Sequence, residues 1–129
     1  MNQPTALVAV VDDEASVRTM LRRALHLAGY EVLVYGSGEE FLASLATHRP
    51  ACVVLDVHMP GLSGFDVASR LQADGPSLPV IFITASDGAT LQQQAHAAGA
   101  ACVLQKPFST DVLLAALRRV VAQAGHGAT

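Results

Sequence analysis

Five short runs of apolar residues recur along the chain, and a segment with helical spacing of its apolar residues follows each run. The runs cover residues 6–11, 31–35, 52–55, 80–83 and 101–104. A continuous apolar run of this length suits a strand that is buried on both faces, as in a parallel sheet. The regular alternation of strand and helix therefore predicts an α/β domain with a parallel sheet and helices on both faces.

Helix signals divide the intervening segments. The predicted helices cover residues 14–28, 39–47, 64–73, 89–98 and 110–123. Ser63 and Asp66 form a variant capping box, Ser109 caps the last helix, and Gly29 and Gly99 follow helix ends. In the first helix we expect Arg18, Arg22 and His26 on the solvent face and Val17, Leu21, Ala24, Leu25 and Ala28 on the inner face. Residues 6–123 are predicted to form the domain, and residues 124–129 a flexible tail.

The order of the strands can also be predicted. Right-handed crossovers on a five-stranded sheet of this size favour the doubly wound, flavodoxin-like order 2-1-3-4-5. This order places strands 1 and 3 side by side at the topological switch point. Ligands of open α/β sheets bind at that point, beyond the carboxyl ends of the strands.

Composition limits the classes of function. The chain has 129 residues, 51% of them hydrophobic, and a net charge of −3. It has no basic stripe and no room for a helix-turn-helix after the last helix, so we expect no direct nucleic-acid binding. No apolar run approaches the roughly 20 residues that span a bilayer, and the first residues lack the features of a signal peptide. We therefore expect a cytoplasmic protein, with Cys52 and Cys102 as buried reduced thiols.

Polar residues stand where four of the five predicted strands end. They are Asp12 and Asp13 after strand 1, Asp56 after strand 3, Thr84 after strand 4 and Lys106 after strand 5. Each has an ordinary alternative: the aspartates and the threonine could cap helices or turns, and the lysine could be a solvated surface residue. Their alignment at one edge of one sheet favours a shared site.

Charge indicates the chemistry of that site. Three carboxylates and one lysine leave a local net charge of −2. Carboxylates this close resist ionising together unless a cation joins them, and an all-oxygen site with space for water suits Mg²⁺. Lys106 and Thr84 beside a metal suit a phosphoryl group. Asp56 can then act as the nucleophile that forms an acyl phosphate. Because the chain has no Gly-rich phosphate loop, a nucleoside triphosphate is not expected as the direct donor.

The sequence from about Leu7 to Gln123 resembles the receiver domains of two-component response regulators. The resemblance rests on five segments: Val11-Asp12-Asp13-Glu14, Leu55-Asp56-Val57-His58-Met59-Pro60-Gly61-Leu62-Ser63-Gly64, Ile83-Thr84-Ala85, Ala98-Gly99-Ala100 and Lys106-Pro107-Phe108. It implies that Asp56 accepts phosphate from a histidine kinase or a histidine phosphotransfer protein. The output would pass through a downstream protein or a domain missing from this chain, and the chain would be a monomer or weak dimer.

The resemblance also implies roles for individual residues. Asp13, Asp56 and the main-chain carbonyl of His58 would bind Mg²⁺, with Asp12 acting through water. Thr84 and Lys106 would bind the phosphoryl oxygens, and the Lys106–Pro107 peptide bond would be cis. His58 and Ser86 would flank the water that hydrolyses the acyl phosphate, unless they form an exposed pair without effect. The chain departs from the family at Val103, where an aromatic residue is usual.

Two alternatives remain beside a phosphorylated receiver. One is a Mg²⁺-dependent phosphatase with an aspartyl nucleophile, but position 58 is His where one such class has a second catalytic Asp. The other is a degenerate receiver that acts by protein binding alone. The complete set of aspartates, threonine and lysine argues against it.

Overall fold

In a computed structural model, the chain forms a five-stranded parallel sheet with helices on both faces. The structure describes residues 6–74, 78–86 and 88–127, with side chains described as far as Gln123. The strands are β1 (Leu7–Val11), β2 (Glu31–Tyr35), β3 (Cys52–Asp56), β4 (Val80–Thr84) and β5 (Cys102–Gln105). Their order in the sheet is β2-β1-β3-β4-β5 and all pairs are parallel, which confirms the predicted topology.

Five helices connect the strands. They are α1 (Ala15–Leu27), α2 (Gly38–Ser44), α3 (Gly64–Ala73), α4 (Ala89–Ala97) and α5 (Thr110–Gly127). Side chains of β3 alternate between the two faces of the sheet. Val53 and Leu55 pack in the core that contains Phe41, Val67 and Leu91 of α2, α3 and α4. Cys52 and Val54 pack in the opposite core, under Leu21 of α1 and Leu117 of α5. The central strand is thus buried on both faces.

The strand register brings the ends of the strands to one edge. Val11 pairs with Leu55, so Asp12 and Asp56 follow at the same level on neighbouring strands. Thr84 is the last residue of β4 and pairs with Gln105, directly before Lys106. The polar residues singled out in the sequence therefore meet at the carboxyl edge of the sheet.

Local signals locate some helix boundaries well. Ser63 and Asp66 form the predicted capping box: Ser63 Oγ accepts from Asp66 N–H at 3.1 Å and Asp66 Oδ2 from Ser63 N–H at 3.0 Å. Ser109 Oγ accepts a hydrogen bond from Val112 N–H at 3.2 Å, as expected of a cap. Gly29 and Gly99 have φ of 100° and 81°, the left-handed conformation that favours glycine after a helix.

Other boundary predictions were wrong. The last helix continues to Gly127, so most of the predicted flexible tail is helical, and residues 128 and 129 lie outside the described residues. The second helix ends at Ser44, three residues before its predicted end, and turns follow. In α1, Ala28 is exposed as the C-cap although an inner position was predicted. Arg18, assigned to the solvent face, is half-buried.

Within the described residues, no helix is long and apolar enough to cross a membrane.

Candidate functional site

Asp56 lies at the centre of the carboxyl edge. It is the last residue of β3, the middle strand of the sheet, and only 4% of its surface is exposed. The main-chain N–H of His58 donates to Asp56 Oδ1 at 3.4 Å. The helix α3 begins close behind: a Cβ on Gly64 would lie 2.4 Å from the Asp56 carbonyl oxygen. This close packing fixes the main chain that carries the carboxylate.

Asp12 is fully buried, and every polar atom it offers is bonded. Its N–H donates to the Tyr35 carbonyl at 3.1 Å, and its carbonyl oxygen accepts from Arg18 Nη1 at 2.6 Å. Its Oδ1 accepts from Glu14 N–H at 2.9 Å, and its Oδ2 accepts from Lys106 Nζ at 3.0 Å. Asp12 is therefore a fixed part of the site, while the neighbouring Asp13 is exposed.

Lys106 brings a positive charge to this acidic edge. Its Nζ lies 3.0 Å from Asp12 Oδ2, and 3.7 Å from both Asp56 Oδ2 and Glu14 Oε1. The Lys106–Pro107 peptide bond is cis, as the resemblance implied. Burial lowers the pKa of Lys106, but the hydrogen bond to Asp12 and the surrounding carboxylates outweigh it, so the net shift is upward. The lysine is thus held as a cation between the carboxylates.

Asp56 is a weaker acid than an ordinary aspartate. Burial, followed by the negative charge of Asp12, raises the pKa of Asp56 to about 6. The charge of Lys106 and the hydrogen bond from the His58 main chain act in the opposite direction but do not cancel the rise. A carboxylate whose charge is disfavoured in this way gains stability when a cation binds beside it.

Thr84, Ser86 and His58 lie beside this cluster. Thr84 is 1% exposed at the end of β4, and its Oγ1 accepts a hydrogen bond from Ser86 N–H at 3.0 Å. The hydroxyl of Ser86 lies 3.3 Å from His58 Nε2, so the loops after β3 and β4 are joined across the exposed side of the site. The sequence alone did not predict this contact.

The three aspartates can hold a divalent cation. One carboxylate oxygen from each of Asp12, Asp13 and Asp56 lies within 4.8 Å of the other two. The set consists of oxygen atoms alone and one member is exposed, which fits the preference of Mg²⁺ for a few carboxylates and several waters. The assignment of the His58 carbonyl as a further ligand stays a prediction.

Two residues of the site were missed by the sequence interpretation. Glu14 reaches Lys106 from the N-terminus of α1, and its place directly after the aspartate pair was the available signal. Arg18 contacts the Asp12 main chain, and its helical spacing alone suggested only a solvated cation. Spacing could not reveal this contact because the acceptor is a main-chain atom of a loop.

Comparison with known proteins agrees with this geometry. The family model described as "Response regulator receiver domain" matches residues 8–118. "Response regulator MprA" of Mycolicibacterium vanbaalenii is 41% identical over 114 residues, which are 88% of this chain and 49% of that protein. The chain thus spans about half the length of the curated relatives it matches.

Solved structures show the same fold. The response regulator receiver protein from Burkholderia phymatum is 44% identical with a TM-score of 0.82, covering 92% of this chain and 96% of that one. The chemotaxis protein CheY4 of Vibrio cholerae is 35% identical with a TM-score of 0.84, covering 91% of this chain and 99% of that one. The similarity therefore extends over the whole sheet and its carboxyl edge.

Proposed function

Because the chain belongs to the family of response regulator receiver domains, we propose that it is a phosphorylation switch in which Asp56 is the phosphoacceptor. The observation that carries this proposal is the arrangement at the carboxyl edge. A buried carboxylate with a raised pKa lies 3.7 Å from a lysine and within 4.8 Å of two further carboxylates. No other cluster of three or more potential metal-binding side chains occurs among the described residues.

The transfer needs little chemistry from the protein. An Asp56 oxygen attacks the phosphorus of a phosphohistidine that carries a proton on its other ring nitrogen. The new O–P bond forms, and the P–N bond breaks to release a neutral imidazole. Lys106 and Thr84 would bind the phosphoryl oxygens, the lysine as a charge and the threonine as a hydroxyl donor. Mg²⁺ held by Asp13, Asp56 and the His58 carbonyl, with Asp12 through water, would offset the charge of those oxygens.

The switch would turn off when water hydrolyses the acyl phosphate on Asp56. The exposed side chains of His58 and Ser86 lie 3.3 Å apart and follow Asp56 and Thr84 by two residues each, so they would flank the water that attacks the acyl phosphate. We infer that this pair controls the rate of hydrolysis. The chain would then only assist its own phosphorylation and dephosphorylation, and would not be an enzyme acting on a separate substrate.

The phosphodonor needs a surface next to Lys106. An apolar pocket lined by Val17, Met20, Pro107, Phe108 and the stem of Lys106 adjoins the site. Met20 is 52% exposed. We propose that a histidine kinase or a histidine phosphotransfer protein docks here. Output passes to a downstream protein or to a domain outside this chain, without nucleic-acid binding by the chain itself, and the setting is cytoplasmic.

Phosphorylation with a small donor tests the proposal. The chain is incubated with acetyl phosphate and Mg²⁺, and the adduct is located by mass spectrometry. We expect one phosphoryl group on Asp56, none in EDTA, and none on Asp56→Asn. Asp13→Ala should lose both Mg²⁺ binding and phosphorylation but keep the fold, because its loss relieves repulsion among the carboxylates.

The outcomes separate the alternatives. Full modification of Asp56→Asn, or full modification in EDTA, would refute the proposed site. No modification of a folded chain that binds Mg²⁺ would favour the degenerate receiver. Rapid turnover of a range of phosphate esters would favour the phosphatase.

A further inference from the structure

Arg18, on α1, contacts the loop after β1 that carries Asp12 and Asp13. Its Nη1 donates a hydrogen bond to the main-chain carbonyl of Asp12 at 2.6 Å. The guanidinium also lies against Gly36 in the loop after β2, where an added Cβ would be 3.3 Å from Nη1. Arg18 thus fills the space between the loop after β1 and the loop after β2.

Arg18 lies in the N-terminal part of α1. It is the fourth residue of α1, and its N–H donates to the carbonyl of Glu14, the N-cap. The helix dipole disfavours a cation near a helix N-terminus, but Asp12, Asp13 and the N-cap Glu14 precede this helix and offset that effect. Long side chains of helices point back toward the N-terminus, which brings the guanidinium to the Asp12 carbonyl. The position of Arg18 in α1 therefore brings its guanidinium into contact with the loop after β1.

We propose that Arg18 is a positioning residue for the Mg²⁺ site, an inference that rests on the proposed function. The hydrogen bond fixes the peptide group that joins Asp12 to Asp13. Since Asp13 is exposed, the direction of its carboxylate depends on the orientation of that peptide group. Arg18 therefore aims Asp13 at the metal without contacting the metal itself, much as partners of metal ligands do in other sites.

Electrostatics and positioning predict opposite signs, which makes the role testable. Removing a positive charge near three carboxylates should, by charge alone, strengthen cation binding. If Arg18 positions Asp13, its removal should weaken Mg²⁺ binding instead. We expect Arg18→Met to raise the Mg²⁺ dissociation constant about 10-fold, the lower end of the usual effect of losing such a partner.

The experiment measures Mg²⁺ binding by titration calorimetry on the full chain. Arg18→Lys keeps the charge and a donor, so it should recover part of the affinity. Arg22→Met removes the same charge from an exposed position of α1 and should bind Mg²⁺ like the wild type.

A second variant covers the case in which Arg18→Met does not fold. Gly36 is not among the glycines with positive φ, so Gly36→Val leaves the backbone unstrained while displacing the guanidinium and keeping its charge. It should also weaken Mg²⁺ binding. Wild-type affinity, or tighter binding, in a folded Arg18→Met or Gly36→Val chain would overturn the role of Arg18 alone. A wild-type chain that binds no Mg²⁺ would overturn this inference together with the proposed function.

Discussion

At the scale of single residues, Asp56 combines burial with negative neighbours. Its pKa is raised to about 6, first by burial and then by Asp12. At neutral pH the carboxylate is ionised in an environment that disfavours its charge. That condition fits the proposed role of Asp56 as a phosphoacceptor beside a bound cation. The disfavoured charge of Asp56 also lowers the stability of the metal-free fold at neutral pH.

We expect Asp56→Asn to stabilise the metal-free chain in a pH-dependent way. A carboxyl whose folded pKa is raised stabilises the fold fully below its unfolded pKa of 3.8, and this stabilisation is lost as pH rises toward 6. Asn carries no charge at any pH. The variant should therefore exceed the wild type at pH 7 by on the order of 1 to 3 kcal/mol, and the gain should shrink toward pH 4.

Urea unfolding in EDTA at several pH values measures this gain in the free energy of unfolding. Glu31→Gln removes an exposed carboxylate at the start of β2 and serves as the control, without a comparable gain. A gain of Asp56→Asn that is the same at pH 4 and pH 7 would show that the Asp56 charge is not disfavoured.

Gly64 is a residue whose lack of a side chain determines the site. An added Cβ would lie 2.4 Å from the Asp56 carbonyl oxygen and 2.9 Å from Val57 Cα, and main-chain atoms cannot move aside easily. We expect Gly64→Ala to lower the free energy of unfolding by about 1 to 3 kcal/mol, a typical cost of overpacking. Ser69→Ala, exposed on the same helix, is the matched control. Equal unfolding midpoints for both variants would contradict the close approach.

At the scale of elements, the sequence was sufficient for what depends on local pattern. Apolar runs identified all five strands, and the capping box located the start of α3, because these signals act within a few residues. It was insufficient where no clear local stop signal is present. The end of α5 lacked a stop signal before Gly125, and its helix runs past the predicted end at Gln123.

The same division applies to the candidate site. Parallel strands must bring Asp12, Asp56, Thr84 and Lys106 to one edge, so the sequence predicted their proximity. The sequence could not give the individual contacts. The hydrogen bond between Arg18 and the Asp12 carbonyl, and the contact of His58 with Ser86, depend on loop conformations and side-chain rotamers.

We expect activation to move α4 rather than an aromatic side chain on β5. Val103 packs with the same core as Leu91 and Ala95, which are the buried residues of α4. Valine is stiff at χ1 and short, so it cannot swing between an inner and an outer position. The N-cap of α4, Gly88, offers no side-chain cap. With few large anchors, this helix is the element that is least costly to shift.

Beryllofluoride, which mimics the phosphoryl group on Asp56, provides the test. The largest chemical-shift changes away from the site should fall in residues 85–98, including the exposed Gln92, Gln93, Gln94 and His96. Asp56→Asn, which cannot bind the mimic, should show no such changes. Changes concentrated elsewhere would exclude α4 as the moving element.

At the scale of the whole molecule, the two faces of the sheet differ in charge. On the face of α1 and α5, the helices carry five arginines and one aspartate between residues 15 and 123: Arg18, Arg22, Arg23, Arg118, Arg119 and Asp111. On the other face, α2 carries Glu39 and Glu40, α3 carries Asp66 and Arg70, and α4 carries no Asp, Glu, Lys or Arg. The helices on the face of α1 and α5 therefore carry a net positive charge, although the net charge of the whole chain is −3. A phosphodonor with an acidic, partly apolar surface fits that face.

The exposed Met20 permits a test that separates docking from chemistry. Met20→Glu places a negative charge in the apolar pocket beside Pro107 and Phe108, which would repel an acidic donor and remove apolar contact. We expect about a 10-fold or greater loss of phosphotransfer from a phosphohistidine-carrying domain that phosphorylates the wild type. The rate with acetyl phosphate should be unchanged, because this donor is too small to use the pocket.

Leu27→Glu, at the far end of α1 and 86% exposed, makes the same kind of change away from the site and should affect the rate with neither donor. Equal losses with both donors would mean that Met20→Glu disturbs the site itself, and no loss with either would exclude this pocket as the docking surface.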